Sequence, residues 1–282
     1  DQLALSVGDL FMGAVFPGLI LGTLYVSYIL LRSNLRPESA PLSPDLQEFS
    51  WFMIWDVFKS ILPPVFLILA VLGSIFAGIT TPTEASGVGA LGAILLAAYN
   101  HNLNFSVLKE VTYAAFKTTA YIFAIFLGAT CFALVLRELG GDELVERAIT
   151  GLPFGKYGIL IFILLIVFLL GFLLDWIEIT LIILPLLSPI VDSLGFEIEG
   201  FGTMDEPDLI WFTLLVAVAL QTSFLTPPVG FALFYLKGVC PPEIKMVDIY
   251  KGVAPIIILQ LIGLTLVVVF PTLVTWLPSV AY

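Results

Sequence analysis

Apolar residues fill this chain in long runs that are separated by short polar or proline-rich stretches. A helix needs about 20 consecutive apolar residues to cross a bilayer core. The runs that reach or approach this length are residues 9–31, 61–79, 118–136, 157–174, 209–225 and 252–277. Shorter runs occupy residues 85–99, 179–191 and 229–236. The pattern predicts an all-α polytopic membrane protein.

Each short run is joined to a longer neighbour across an interruption, at residues 80–84, 171–178 and 221–228. Unpaired backbone groups are costly in lipid, so broken helices persist only where protein or a water-filled cavity meets the break. Transporters use such breaks to bind substrates and coupling ions. We therefore expect a re-entrant hairpin over residues 157–194 and a broken helix over residues 209–239.

Composition narrows the possible functions. The chain is 60% hydrophobic and 12% charged, with a mean hydropathy of +1.09 and a net charge of −11. Its carboxylates cluster outside the apolar runs, mostly over residues 197–208, so a nucleic-acid partner is excluded. One histidine and two cysteines offer neither a histidine metal cluster nor a disulfide framework. An integral membrane enzyme would need a nucleophile–base pair or a metal cluster.

Basic residues predict the orientation, because cytoplasmic loops are enriched in lysine and arginine. They flank the apolar runs at Arg32, Arg36, Lys109, Lys117, Lys237, Lys245 and Lys251. Residues 32–60 are then a cytoplasmic loop, within which residues 47–59 read as an interfacial helix or a plain linker. The acidic loop at residues 197–208 falls outside.

Three stretches together carry a family resemblance: "GSIFAGITTPTEASGVGA", "LGFLLDWIEITLIILPLLSPIVDSLG" and "LTPPVGFALFYLKGV". In this order and spacing, the chain resembles the large membrane subunit of the tripartite ATP-independent periplasmic (TRAP) transporters. The resemblance extends from "FMGAVFPGLILG" to "FPTLVTWLP", nearly the whole chain. Family members also carry a related N-terminal half with its own hairpin and broken helix. The chain therefore resembles the C-terminal part of a large subunit, as a single permease domain over residues 1–282.

The resemblance implies half of an inverted-repeat, elevator-type ion-transporter fold in the bacterial inner membrane. It implies sodium as the coupling ion, no other cofactor, and import of a small organic acid. The implied partners are a small TRAP membrane subunit, a periplasmic substrate-binding protein and the lipid bilayer. The alternatives are a channel or a structural membrane subunit, and an integral membrane enzyme fits the residues less well.

Consecutive prolines interrupt the helix pattern at "LTPPVG", residues 225–230. They remove two N–H donors and bar the preceding residue from ordinary helical geometry, which frees carbonyls over residues 221–226 for an ion. A kink needed only for packing is the structural alternative. The candidate ion-binding and substrate-binding residues here are Gln221, Thr222, Thr226, Pro227, Pro228 and Gly230.

Asp175 lies at the proposed hairpin tip, between apolar runs. An ionisable residue at membrane depth is by default a functional hypothesis. A loop residue at the interface is the alternative, favoured by the neighbouring Trp176 and Glu178. Hard cations take oxygen ligands. We therefore expect sodium to be held by carbonyls near Gly171, Asp175 and Thr226, where the tip faces the break.

The stretch "TTPTEA" carries the signals of a helix junction. We expect Pro82 to end one helix and Thr81 or Thr83 to cap the next, with Glu84 in its first turn. Capping explains these residues without a ligand, so Thr81, Thr83 and Glu84 are secondary candidates for substrate contact. The glycines that follow suit close helix packing: Gly87, Gly89 and Gly92.

Overall fold

The computed structural model describes residues 5–40, 50–198, 206–227, 230–241 and 243–281. Every regular element in these ranges is helical. The α-helices are α1 (Val7–Leu35), α2 (Trp51–Phe76), α3 (Pro82–Tyr99), α4 (Phe105–Glu138), α5 (Gly141–Thr150), α6 (Lys156–Leu170), α7 (Trp176–Glu178), α8 (Leu184–Ser193), α9 (Pro207–Leu225), α10 (Phe231–Val239), α11 (Met246–Val269) and α12 (Thr272–Ala281). A 3₁₀ turn covers Pro37–Ser39, and a π-helical turn, Ile179–Ile183, joins α7 to α8.

Six helices among the described residues are long and apolar enough to cross a membrane: Val7–Leu35, Trp51–Phe76, Phe105–Glu138, Trp176–Ser193, Pro207–Leu225 and Met246–Val269. This confirms the all-α polytopic membrane class. That the chain is half of an inverted-repeat fold stays a prediction.

The described residues form two compact units, one drawn from residues 1–25 and 119–280 and the other from residues 26–118. In the first unit α9 is the central helix, because 67% of its most apolar window is buried, against at most 22% for any other candidate span. Trp211 and Phe212 are fully buried. The Trp211 indole Nε1 donates a hydrogen bond of 2.8 Å to the Val267 carbonyl, which joins α9 to α11.

In the second unit α2 and α3 pack against each other through glycines of α3. A Cβ atom at Gly89 would lie 3.3 Å from the Val71 side chain, and one at Gly92 would collide with Leu67. Gly87 instead has open space around it. The expectation of close packing thus holds for two of the three glycines.

Residues 47–49 of the predicted interfacial helix (47–59) lie outside the described residues, and from Trp51 onward the stretch is not a separate element. Ser50 caps α2 by accepting a 3.3 Å hydrogen bond from the Phe52 N–H. From Trp51 the helix continues without interruption through Pro63 and Pro64 to Phe76. The residues described from 51 to 60, assigned to a cytoplasmic segment, therefore form the first part of a spanning-length helix.

Two other boundaries also differ from the apolar runs. The run at residues 252–277 is divided, because Pro271 forces Phe270 out of helical geometry, to φ −122° and ψ 76°. The run at residues 179–191 appeared too short to cross a bilayer, yet the helix extends over Trp176–Ser193, 18 residues. It is longer because Asp175 caps it ahead of the polar Glu178.

Candidate functional site

Helix α6 and the helical stretch Trp176–Ser193 form a hairpin, with its open end at Lys156 and Gly195. The Lys156 ammonium donates a 3.3 Å hydrogen bond to the Gly195 carbonyl. It also lies 5.5 Å from the centre of the Phe196 ring, which stacks edge-on against Trp211 at 5.3 Å. These contacts hold the open end against α9. That the hairpin is re-entrant stays a prediction.

The hairpin tip, residues 171–175, is a compact turn. The Leu170 carbonyl accepts hydrogen bonds of 2.9 Å from both the Leu173 and the Leu174 N–H groups. Asp175 adopts an extended conformation, and its carboxylate accepts a 2.8 Å hydrogen bond from the Trp176 N–H. The Asp175 carbonyl accepts from the Ile179 N–H at 3.2 Å. Asp175 thus has a definite structural role as the N-cap of the following helix.

The break after α9, residues 226–230, lies where the prolines predicted it. Thr226 is extended, at φ −94° and ψ 128°, because the residue before a proline avoids helical geometry. Gly230 adopts the left-handed conformation, with φ +46°, and α10 begins immediately after it. A Cβ atom there would also approach the Leu233 side chain to 2.9 Å, so glycine is required for two reasons. Pro228 lies outside the described residues.

Hydroxyl groups near the break donate their protons to their own helix. Thr222 donates to the Val218 carbonyl at 2.9 Å, Ser223 to Leu220 at 2.7 Å, and Thr226 to Thr222 at 2.7 Å. A hydroxyl has one proton to donate and two lone pairs. With the proton used, each oxygen presents only acceptor capacity, which suits a cation rather than an anion. Thr222 and Ser223 are fully buried, whereas Gln221 is exposed.

The tip meets the C-terminal part of α9, just before the break, at Gly171. A Cβ atom at this position would collide with the Ser223 side chain, lying 2.8 Å from its Cβ, and would lie 3.3 Å from Leu220 Cδ2. Only a residue without a side chain permits this approach. The structure therefore brings Gly171 of the tip against α9, one turn before the extended Thr226. The Asp175 carboxylate instead bonds to its own helix.

Sequence reasoning missed one contact and one residue near this site. Ser223 lies in the stretch 221–226 that the sequence indicated, but its side-chain contact with Gly171 was not predicted. Tyr121 of α4 donates a 3.3 Å hydrogen bond to Glu178 Oε1, while Glu178 Oε2 is buried without a hydrogen-bond partner among the described residues. The Glu178 carboxylate lies in an apolar stretch of the sequence, which indicated that it needs a hydrogen-bond donor. The sequence did not indicate that Tyr121 would be that donor.

The secondary candidates form a helix cap in the other unit. The Thr81 N–H and hydroxyl both donate to Glu84 Oε2, at 2.8 and 2.9 Å, and the Glu84 N–H donates to the Thr81 hydroxyl at 3.3 Å. The hydrogen bonds from the Thr81 backbone, and then from its side chain, lower the pKa of Glu84. The Thr83 carbonyl accepts from the Ser86 hydroxyl at 2.7 Å.

This geometry decides between the two caps that the sequence allowed, because the N-cap is Thr81 and not Thr83. The expectation that Pro82 ends the preceding helix is wrong. Helix α2 ends at Phe76, and Pro82 is the first residue of α3, where its missing N–H costs nothing.

A helical hairpin packed on an interrupted helix, inside a polytopic all-α protein, is an arrangement that secondary transporters use. The fold defines this chain as a polytopic all-α membrane protein. More narrowly, the chain belongs to the family described as tripartite ATP-independent periplasmic transporter, DctM component, which it matches over residues 2–273. The resemblance found in the sequence is thereby confirmed. With its six candidate spans, the chain is a multi-pass protein of the bacterial inner membrane.

Similar proteins include several large permeases. The chain is 28% identical over 269 residues to the isethionate TRAP transporter permease protein DctMQ of Oleidesulfovibrio alaskensis, covering 95% of the chain and 40% of that relative. It is 28% identical over 278 residues to the sialic acid TRAP transporter large permease protein SiaM of Vibrio cholerae, covering 97% and 60%. It is 26% identical over 295 residues to the C4-dicarboxylate TRAP transporter large permease protein DctM of Vibrio cholerae, covering 97% and 61%. The chain thus spans between 40% and 61% of the length of these relatives.

Proposed function

We propose that this chain is the C-terminal part of the large permease subunit of a sodium-coupled secondary transporter, which imports organic acids delivered by a periplasmic substrate-binding protein. Its role is transport rather than catalysis. The observation that carries the proposal is the contact of Gly171, at the hairpin tip, with Ser223, beside the helix break. The non-helical tip is thereby held against the C-terminal part of α9, beside the break, inside a helical membrane protein.

Sodium is the proposed coupling ion because the groups gathered here are oxygens. Hard cations bind carbonyl, hydroxyl and carboxylate oxygens. The Thr222 and Ser223 hydroxyls have committed their protons to backbone carbonyls and present lone pairs. The proposed ligands are these hydroxyls with carbonyls near Gly171, Asp175 and Thr226. Pro227 maintains the break, because it has no N–H to continue the helix.

An organic acid is the proposed substrate for two reasons. The helical stretch Trp176–Ser193 and helix α10 begin at the tip and at the break, respectively. Helix N-termini carry partial positive charge and favour anions. The relatives are named for isethionate, sialic acid and C4-dicarboxylates, which are all organic acids. The proposed protein partners, a small TRAP membrane subunit and the periplasmic binding protein, follow from the family.

The test is uptake by the complete complex in proteoliposomes. Radiolabelled sialic acid, isethionate and succinate are offered with the matching binding protein, under an inward sodium gradient or an equal potassium gradient. We expect saturable accumulation of one acid with sodium alone. Passive equilibration independent of sodium would instead indicate a channel. Absence of transport from an assembled complex, for all three acids, would favour a structural subunit.

A further inference from the structure

A second group of residues with binding chemistry lies at the C-terminal end of α1, outside the proposed transport site. A surface cavity of about 250 Å³ is lined by Tyr28, Leu31, Arg32, Leu35 and Arg36. These positions share one helix face because residues three and four apart are neighbours on a helix. The transport function proposed above uses none of them.

The cationic part of the cavity is preorganised. A guanidinium nitrogen of Arg32 donates a hydrogen bond to the Tyr28 hydroxyl, and the guanidinium carbon lies 5.8 Å from the centre of the Tyr28 ring. These contacts restrict the Arg32 side chain while leaving further N–H donors of its planar fork available for an oxyanion. Arg36 lines the same cavity one turn later. The planar guanidinium group can bind two phosphate oxygens through parallel N–H donors.

The remaining wall is apolar. Leu31 is 60% exposed and Leu35 is 72% exposed, although both lie beside the arginines. A free phosphate ion gains nothing from leucine side chains. A phospholipid has an anionic phosphate directly next to acyl chains, so it complements both parts of the cavity. Complementing the dipole at a helix C-terminus explains one arginine, but not a cavity shared by two arginines and two exposed leucines.

The position in the membrane fits the same ligand. Helix α1 is a candidate span, and its basic end is expected on the cytoplasmic side. Anionic lipids give that leaflet a negative surface, and basic pockets at the ends of spans bind their headgroups. We propose that Tyr28, Arg32 and Arg36 bind the phosphodiester of an anionic phospholipid in the cytoplasmic leaflet, with Leu31 and Leu35 against its acyl chain.

The proposal is tested on the purified complete complex by native mass spectrometry, titrated with phosphatidylglycerol or with phosphatidylcholine. We expect Arg32→Gln/Arg36→Gln to lose one retained phosphatidylglycerol. Its affinity for this lipid should fall on the order of tenfold. Lys109→Gln/Lys117→Gln is the matched control, since it removes the same charge from exposed positions on α4. It should keep the retained lipid.

A lysine variant and an uptake measurement serve as further controls. Arg32→Lys/Arg36→Lys preserves charge but loses the planar fork, so its affinity for phosphatidylglycerol should fall between those of the wild type and the glutamine variant. Sodium-dependent uptake in each variant confirms that the complex has folded. Equal lipid retention in the two glutamine pairs would overturn the proposal. An increase in melting temperature with inorganic phosphate equal to that with phosphatidylglycerol would also overturn it, because the ligand would then be a free anion.

Discussion

At the scale of single residues, Gly171 matters most, because the proposed site depends on the absence of its side chain. The tip can approach α9 only while no Cβ atom stands between it and Ser223. The sequence indicated Asp175 as a candidate site residue. In the structure its carboxylate caps a helix through a defined hydrogen bond. The structural and transport roles of both residues can be separated by substitution.

Gly171→Ala should lower both the stability and the uptake of the complex, although it adds only one methyl group. The added methyl group would lie 2.8 Å from Ser223 Cβ, and such overpacking costs about 1–3 kcal/mol. We expect a lower melting temperature and weaker sodium-dependent uptake. Gly128→Ala is the matched control, because a Cβ atom there meets nothing within 4 Å.

Adding Ser223→Gly should restore much of the melting temperature lost in Gly171→Ala, since it removes the colliding atoms. If Gly171→Ala behaves like Gly128→Ala in both stability and uptake, the tip and α9 do not meet as the structure has them.

Substitutions of Asp175 distinguish the cap from an ion-site role. Asparagine caps helices about as well as aspartate, whereas alanine costs about 0.5–2 kcal/mol. Asp175→Asn should therefore keep the melting temperature of the wild type and lose uptake if the charge contributes to the site. Asp192→Asn, at another acidic position of the same hairpin, is the control. Wild-type uptake by Asp175→Asn would leave only the capping role.

At the scale of elements, the three polar interruptions of the apolar pattern have different structures. The junction before α3 is a complete capping box, and its hydrogen bonds are made within the junction. The tip is a turn followed by a capped helix, whereas the break after α9 begins with an extended threonine. Similar sequence signals thus correspond to different structures. The interruption before α3 is a structural junction, whereas the tip and the break are parts of a proposed binding site.

The capping box gives a pH dependence with a definite sign. The pKa of Glu84 is lowered from its ordinary 4.5 by hydrogen bonds from Thr81. The ionised form therefore stabilises the folded state above pH 4.5, and this contribution is lost as the pH falls through the lower folded-state pKa. Because the carboxylate is exposed, the effect is small.

Glu84→Gln keeps a hydrogen-bond acceptor at this position, but the amide side chain does not ionise. Melting curves recorded from neutral to acidic pH should show wild type and variant converging as the pH falls through the folded-state pKa. A constant difference at every pH would mean that the charge of Glu84 does not stabilise the cap.

The double substitution Pro227→Ala/Pro228→Ala tests whether the break serves an ion or only packing. It restores two N–H donors and removes two ring clashes, so the helix can extend through the break. We expect the sodium-induced rise in melting temperature to shrink, while stability without sodium stays level or increases, because strain at functional sites is held against local preference. Pro271→Ala, at the other proline-associated helix break, should keep the sodium response. Misassembly of the Pro227→Ala/Pro228→Ala variant with an unchanged sodium response would assign the break to packing.

At the scale of the whole molecule, the sequence predicted its class and its interruptions more reliably than its contacts. Long apolar runs indicated a membrane protein, and Pro227 marked the break because a proline acts on its own segment. The contact of Gly171 with Ser223, and that of Tyr121 with Glu178, join distant segments whose pairing no periodicity specifies. Helix ends were also misjudged, because hydropathy follows lipid exposure while caps such as Ser50 and Asp175 set where helices begin.

The central claim is that one sodium ion binds between the tip and the break. The most direct measurement is amide hydrogen exchange by mass spectrometry on the complete complex, in sodium or in potassium at equal ionic strength. Sodium should slow exchange in peptides covering residues 171–175 and 222–226 together, because an ion bound by both segments stabilises both against local opening. Exchange in the junction at residues 77–81 should not change. Slowing in only one of the two segments, or in neither, would contradict the account.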